Sequence, residues 1–315
     1  RRVSPLLAQA IGLVRDLAVD ETNDRVRAAG VVSTLCSIFR PFRNHQDVVL
    51  NTARALARLS LHQPTRGLIT SEPGHVRDLL AALLEQDSSR ATCSTAAVAP
   101  VEHRQHWDNQ GKRVATCVRI AFALGNLTSA SDENRRLIGL RFGGAESLPA
   151  FLHTFSRAYL MAWECMCSVE THHAASMDGI TETEEMLVKA VRLLANISIR
   201  RDVGQRVCRH PGLVALEPLL GNGVGPAEAA TIPGEELLLN AVCLITNLSY
   251  YGPTAANCTA ASPVRRAPPS ISSTRTPAVV SRVVGVLCGH LVKVLLHPNA
   301  EAVTEAARAF GNFLR

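Results

Sequence analysis

Aromatic residues are scarce in this chain of 315 residues, at 4% of the total. Hydrophobic residues together reach 47%, so a core has to be filled mainly by Ala, Val and Leu. Side chains of that size let helices approach closely, and they suit stacked helices better than an aromatic-rich sandwich. The nine cysteines are odd in number and lack framework spacing, which excludes a disulfide-stapled scaffold and points to a reducing, cytoplasmic environment. No secretory h-region is found, and the chain opens on Arg1-Arg2 without a Met, which reads as a fragment of a longer protein. Long apolar runs are missing as well. The uncharged stretch 237–264 is broken by Asn240, Asn247, Gly252 and Pro253, so it predicts a buried helix and no membrane contact.

Motifs that carry chemistry are equally absent. There is no phosphate loop, no G-x-S-x-G elbow and no H-E-x-x-H, and the histidines are dispersed. Cys165, Cys167, His172 and His173 form the one cluster resembling metal ligands, but it lacks a paired second knuckle, and zinc sites of this kind need four converging ligands. No metal, no cofactor and no catalysis are expected. The formal charge of +6 and sequence pI near 9.0 fit either a basic solvated surface or a preference for acidic partners.

What the chain does contain is a repeat. A helix-period apolar stretch ends in a small residue, an Asn, an aliphatic and often a hydroxyl residue: AFALGNLT at 121–128, RLLANIS at 192–198, CLITNLS at 243–249 and RAFGNFL at 308–314. Degenerate copies are RALARLS at 54–60 and GLVRDLA at 12–18. The aligned polar positions are Asp16, Arg58, Asn126, Asn196, Asn247 and Asn312. Five, three and two residues before this position, and one after it, every copy is apolar, for example Val191, Leu193, Leu194 and Ile197. Such spacing puts an apolar face on one helix. The residue just before the polar position is small in five copies: Ala57, Gly125, Ala195, Thr246 and Gly311.

Between these helices a short polar helix, a Gly and a second apolar helix recur, as at 21–39, 65–84, 132–152 and 202–220. Gly30, Gly74, Gly144 and Gly212 sit at the joint, where a left-handed backbone conformation is expected because it costs Gly little. The first period, from Asp16 to Arg58, is 42 residues, inside the band of roughly 40–47 for armadillo-type repeats. With a third helix ending in ALGNLT or LLANIS, the chain resembles the armadillo-repeat family. The resemblance implies an all-α fold: a right-handed superhelical solenoid of three-helix repeats with loop insertions. The units fall near 1–19, 20–61, 62–129, 130–200, 201–251 and 252–315, and the inserted loops near 87–111, 154–181, 221–234 and 252–280. The Pro/Ser/Thr-rich run 262–277 is expected to be a disordered loop.

The resemblance also implies a site. In armadillo proteins the third helices line a concave groove, and the recurrent Asn lies there with its carboxamide free to bond an extended peptide. Four and seven residues earlier the chain stays on the same face. The candidate partner-binding residues are Asn51, Arg54 and Arg58 on one helix, then Arg119 and Asn126, then Lys189, Arg192 and Asn196. Asn240 and Asn247 follow, and then Arg308 and Asn312. Import-receptor members carry Trp four residues before the Asn. Here Arg54, Phe122, Arg192, Cys243 and Arg308 occupy that place, so import is not implied. A ladder of Arg, Lys and Asn suits protein partners with acidic extended or helical segments. The other reading of the Asn residues is that they brace neighbouring helices inside the solenoid.

The run EELLLNAVCLITNLSYYG at 235–252 is similar to a ciliary and flagellar branch of the family that acts in delivering or assembling axonemal radial spokes. It implies an adaptor role with radial spoke or intraflagellar transport components as partners, in the cytoplasm and the cilium. Two other readings stand beside it: a nucleic-acid-binding solenoid, disfavoured by the scarcity of aromatics on which bases stack, and a purely architectural element. Solenoid ends need polar caps, yet this chain closes on Phe310 and Phe313. The isolated chain is therefore expected to self-associate, and sedimentation velocity across a concentration series should show a rising mean mass; a stable monodisperse monomer would contradict this.

Overall fold

The computed structural model describes residues 3–18, 30–88, 100–167, 177–221, 234–251, 287 and 289–313. The described residues are helical and turn segments, with no strand among them. In chain order the helices are α1 (Val3–Leu17), α2 (Val31–Phe42), α3 (Gln46–Leu59), α4 (Gln63–Thr70), α5 (Pro73–Ser88), α6 (Pro100–Ser129) and α7 (Asp132–Arg136). There follow a π-turn at Leu137–Arg141, α8 (Gly144–Cys167), α9 (Met177–Ser198), α10 (Arg201–Cys208) and a 3₁₀ segment at Pro211–Leu216. The last are α11 (Glu217–Gly221), α12 (Glu235–Ser249) and α13 (Ala300–Phe313), with a further helical turn at 289–294.

Two rows of helices make an all-α solenoid. In the inner row α1 packs on α3, α3 on α6, α6 on α9, α9 on α12 and α12 on α13. In the outer row α2 packs on α5, α5 on α8 and α8 on the 3₁₀ segment. The short helices α4, α7 and α10 sit at the joints between rows. The apolar positions of the repeat drive the stacking. Ala53, Ala55, Leu56 and Leu59 of α3 are buried, as are Ala121, Ala123, Leu124 and Leu127 of α6. The equivalent residues of α9 and α12, from Val191 to Ile197 and from Val242 to Leu248, are buried too. In α1, by contrast, Leu13 and Leu17 are exposed, because α1 has a neighbouring inner helix on one side only among the described residues. Each fully buried Leu or Val contributes roughly 1.5–3 kcal/mol of transfer free energy, so the rows are held chiefly by these faces.

Local signals set the joints. Ser131 accepts a hydrogen bond from the Asn134 amide at the start of α7, with Asp132 and Glu133 in the first turn and Arg135 and Arg136 in the last, an order that complements the helix dipole. The joint arginines also close the preceding inner helices, whose last carbonyls have no partner within the helix. Arg66 of α4 donates to the Ser60 and Leu61 carbonyls, and Arg135 of α7 to those of Thr128 and Ser129.

Several expectations are corrected. Of the joint glycines, only Gly30 is left-handed (φ 67°), and Gly143 (φ 72°), rather than Gly144, takes that role in its joint. Gly74 and Gly212 have no positive φ. Gly144 is required for a different reason: a Cβ there would sit 2.6 Å from the Ile138 carbonyl oxygen. Residues 100–111 and 154–167, expected as loop, are helical. In α8 the apolar face simply continues, since Leu148, Phe151, Phe155 and Tyr159 are all buried at helical spacing, and Pro100 suits the first turn of α6. Residues 87–88, 177–181 and 221 of the inserted stretches are helical too, and Gly234 directly precedes α12. The rest of those stretches, including 262–277, and the short polar helix expected near 21–29 lie outside the described residues.

Two glycine substitutions should therefore act in opposite directions. At Gly125, inside α6, an added Cβ meets nothing within 4 Å, so Gly125→Ala should stabilise by about 0.5–1 kcal/mol through helix propensity. Gly144→Ala should destabilise by about 1–3 kcal/mol, because backbone must shift. Urea unfolding midpoints decide both signs.

Candidate protein-interaction face

The inner row brings the recurrent polar positions into one line, and each Asn is engaged by the helix before it. Asn196 Nδ2 of α9 donates to the Gly125 carbonyl of α6 at 3.0 Å, and Asn247 Nδ2 of α12 donates to the Ala195 carbonyl of α9 at 3.0 Å. Asn126 of α6 reaches Ser60 Oγ at 2.9 Å, and Ser60 Oγ in turn donates to the Ala57 carbonyl at 2.7 Å. Asn312 of α13 does the same through Ser249 Oγ, which donates to the Thr246 carbonyl at 2.6 Å. In all four the acceptor line ends on the small residue just before the aligned polar position of the preceding inner helix: Ala57, Gly125, Ala195 or Thr246. Where α3 carries Arg58 in place of Asn, Asn51 provides the link instead, donating to the Ala8 carbonyl of α1 at 3.2 Å.

The motif now has a physical account. The small residue keeps a helix carbonyl within reach of the next helix, and the Asn supplies the N–H. The hydroxyl residue two positions after the Asn bonds to its own helix, as Thr128 does to the Leu124 carbonyl and Ser198 to that of Leu194, or relays the link. Bracing is thus what the amide nitrogens do. The carboxamide oxygens of Asn126, Asn196 and Asn247 accept no hydrogen bond from the described residues, and the three side chains are half-buried. Asn240 is apart from this line and donates to the Glu236 carbonyl of its own helix.

The expected ladder of cations is unevenly realised. Lys189, half-buried, pairs with Glu236 of α12 at 3.3 Å, and Arg308 pairs with Glu305 one turn earlier on its own helix. Lys112 of α6 pairs with Asp47 of α3 at 3.0 Å. Arg119 meets Glu185 of α9 only at 4.0 Å. Among the described residues no carboxylate lies in ion-pair range of Arg54, Arg58 or Arg192. Of the candidate cations, Arg54 and Arg58 of α3 and Arg192 of α9 are thus left without an ion pair among the described residues.

At the α1–α3–α6 end lies an open pocket of about 400 Å³ lined by Arg15 and Asp16 of α1, Arg54 and Arg58 of α3, and Arg119 and Phe122 of α6, with Ala57 and Leu61. Arg15 grips Asp16 with two hydrogen bonds, Nε at 2.8 Å and Nη2 at 3.1 Å. That grip holds the Asp16 carboxyl below the usual range, and Arg58 adds to it. Burial, with Arg15 and Arg119 nearby, lowers the pKa of the Arg54 guanidinium. The spacing rule found Arg54, Arg58 and Arg119 but passed over Arg15. Steps of four and seven back from Asp16 give Gly12 and Gln9, and no sequence signal marks the residue beside the aligned position.

The Cys36 and Cys208 thiols are pushed up to about 12, chiefly by burial, far from the thiolate form that attacks or ligates. No group of three or more His, Cys, Asp or Glu there could hold a metal ion, and no helix is long and apolar enough to cross a membrane.

No family model matches the chain. It is similar to armadillo repeat-containing protein 2 of Homo sapiens, 26% identical over 310 residues, covering 98% of this chain and 30% of the human protein. The Mus musculus protein is 26% identical over 311 residues, 98% of this chain and 29% of its own length. The Bos taurus protein is 25% identical over 310 residues, 98% and 30%. These likenesses support an armadillo-repeat family. The chain spans under a third of the length of the curated relatives it matches.

The rungs of the inner row can be tested by charge. Asn196→Asp removes the N–H and places a carboxylate against the Gly125 carbonyl, so at neutral pH it should destabilise by about 1–3 kcal/mol. The new carboxyl should have a raised folded-state pKa, since its charged form is disfavoured. Its penalty therefore shrinks as pH falls through that value and the protonated acid can donate again. Denaturant melts of wild type and variant at neutral pH and at about pH 4 read the difference; a pH-independent gap would refute the donor role.

Proposed function

We propose that this chain is a non-enzymatic scaffold that binds protein partners along the inner-row face, and that it serves as an adaptor in assembling or transporting components of the cilium or flagellum. The observation that carries the binding part is the line of half-buried carboxamides ending in a pocket where Arg54 and Arg58 have no carboxylate in ion-pair range among the described residues. Such a face gives an extended or helical segment hydrogen-bond acceptors along its length and cations at one end. Acidic segments are the fitting partners. The ciliary part rests on the resemblance of 235–252 to the ciliary and flagellar branch, and on the likeness to armadillo repeat-containing protein 2 over nearly the whole chain. Radial spoke and intraflagellar transport components are the partner classes this reading names, with the cytoplasm and the cilium as its locations.

The charge pattern disfavours a nucleic-acid partner. A phosphate backbone would have to follow the inner row past exposed Glu185 and Glu236, against the even basic track that such binding uses.

Proximity labelling in ciliated cells separates these readings. The wild-type chain should label axonemal and transport proteins, and changing Arg54, Arg58 and Arg192 together to Glu should remove most of that set while the protein stays folded by circular dichroism. An unchanged set would overturn the inner-face reading, and a set without ciliary proteins would overturn the adaptor role.

A further inference from the structure

The pocket between α1, α3 and α6 carries more positive charge than one carboxylate side chain would balance. Four guanidiniums line it against a single lining carboxylate, Asp16, which is already held by Arg15 at 2.8 and 3.1 Å. Arg54, Arg58 and Arg119 are left facing a concavity of about 400 Å³, and Glu185 approaches Arg119 only at the 4.0 Å limit. Arg54 is half-buried in this setting and Arg58 and Arg119 are exposed, so the donors present both a floor and a rim. Resting on the scaffold reading above, we propose that this pocket receives the phosphate of a phosphorylated serine or threonine in an extended segment of a protein partner.

Four features favour a phosphorylated side chain over other anions. A phosphomonoester carries about −1.5 to −2 charge and three acceptor oxygens at neutral pH, which matches converging planar guanidinium forks better than a carboxylate does. Phe122 and Leu61 give the pocket apolar wall, suited to the neighbouring residue of a peptide chain. Beyond α6 the same face becomes mixed in charge, with exposed Glu185 and with Glu236 against Lys189. A partner with one concentrated dianion and few other charges fits that polarity, whereas a polyanion would be repelled along it. The protonated form of Arg54 is disfavoured by burial and by Arg15 and Arg119, a cost that a bound dianion would relieve.

The test uses fluorescence anisotropy with three degenerate peptide libraries that differ only at one fixed central residue: phosphoserine, glutamate or serine. The whole chain should bind the phosphoserine library roughly tenfold or more tightly than the glutamate library. Arg58→Gln and Arg119→Gln, both at exposed positions, should each remove most of that preference. Arg157→Gln, at an exposed position on the outer-row helix α8, should leave the ratio of the two affinities unchanged. Equal binding of the phosphoserine and glutamate libraries would overturn the phosphate assignment and leave the scaffold reading standing. Absence of phosphoserine binding would overturn it too, and the scaffold reading would still be judged by proximity labelling. A preference that survives both pocket substitutions would place the phosphate elsewhere and equally refute the proposal.

Discussion

A single N–H donated from an Asn side chain to the helix before it fixes how the inner row is stacked. Apolar burial holds the helices together with far more free energy, but it is non-directional and would tolerate sliding by a turn. The carboxamide bond is worth only about 1 kcal/mol net, yet it is geometrically exact in what it joins. Asn196 reaches the carbonyl one residue before Asn126, and Asn247 the carbonyl one residue before Asn196. Each rung therefore places a helix at the same register relative to the last, so the arrangement repeats. In a solenoid whose stability is a sum of nearest-neighbour terms, this is the term that carries orientation.

The choice of residue follows from the geometry. A carboxylate would bring an acceptor to an acceptor. Where the direct contact is replaced by a serine relay, at Ser60 and Ser249, the hydroxyl both accepts from the Asn and donates to its own helix. The exception at Arg58 is informative. With no amide available there, Asn51 two turns earlier makes the link to α1, and the long cationic side chain is released to the pocket. Loss of the motif residue at one rung and gain of a pocket-lining cation are the same substitution.

Much of this was legible in the residues. The apolar spacing around Leu194 and Ile245 gave the helices and their buried faces, and the recurrence of LGNLT and LANIS gave the stacking order. The direction in which each carboxamide points was not legible, because spacing shows that Asn126 and Asn196 share a face but not which carbonyl lies within 3 Å. The same holds for Lys189, whose counter-charge Glu236 is 47 positions away, and for Arg66 and Arg135, which read as surface charges of short polar helices but close the ends of α3 and α6. Helix α8 was read too short because the repeat template stopped before Phe155 and Tyr159, although their spacing continued it. Composition flagged a basic chain, while which cations are left without an ion pair depends on which acids the fold brings to the others.

The polarity of the face follows from the rungs. The amide N–H groups are used within the row and the carboxamide oxygens of Asn126, Asn196 and Asn247 keep their lone pairs, so under the proposed scaffold role a partner would meet them with donors such as the N–H groups of an extended backbone. Under the same proposal, the guanidinium donors of the pocket at the α1 end suit an acceptor of concentrated charge. A ligand that engages both does not compete with the bonds that hold the row together, because it takes the lone pairs the rungs leave free. Binding can then add to the stability of the inner row by mass action, and a segment lacking the anion would retain the acceptor line while losing its anchor at one end.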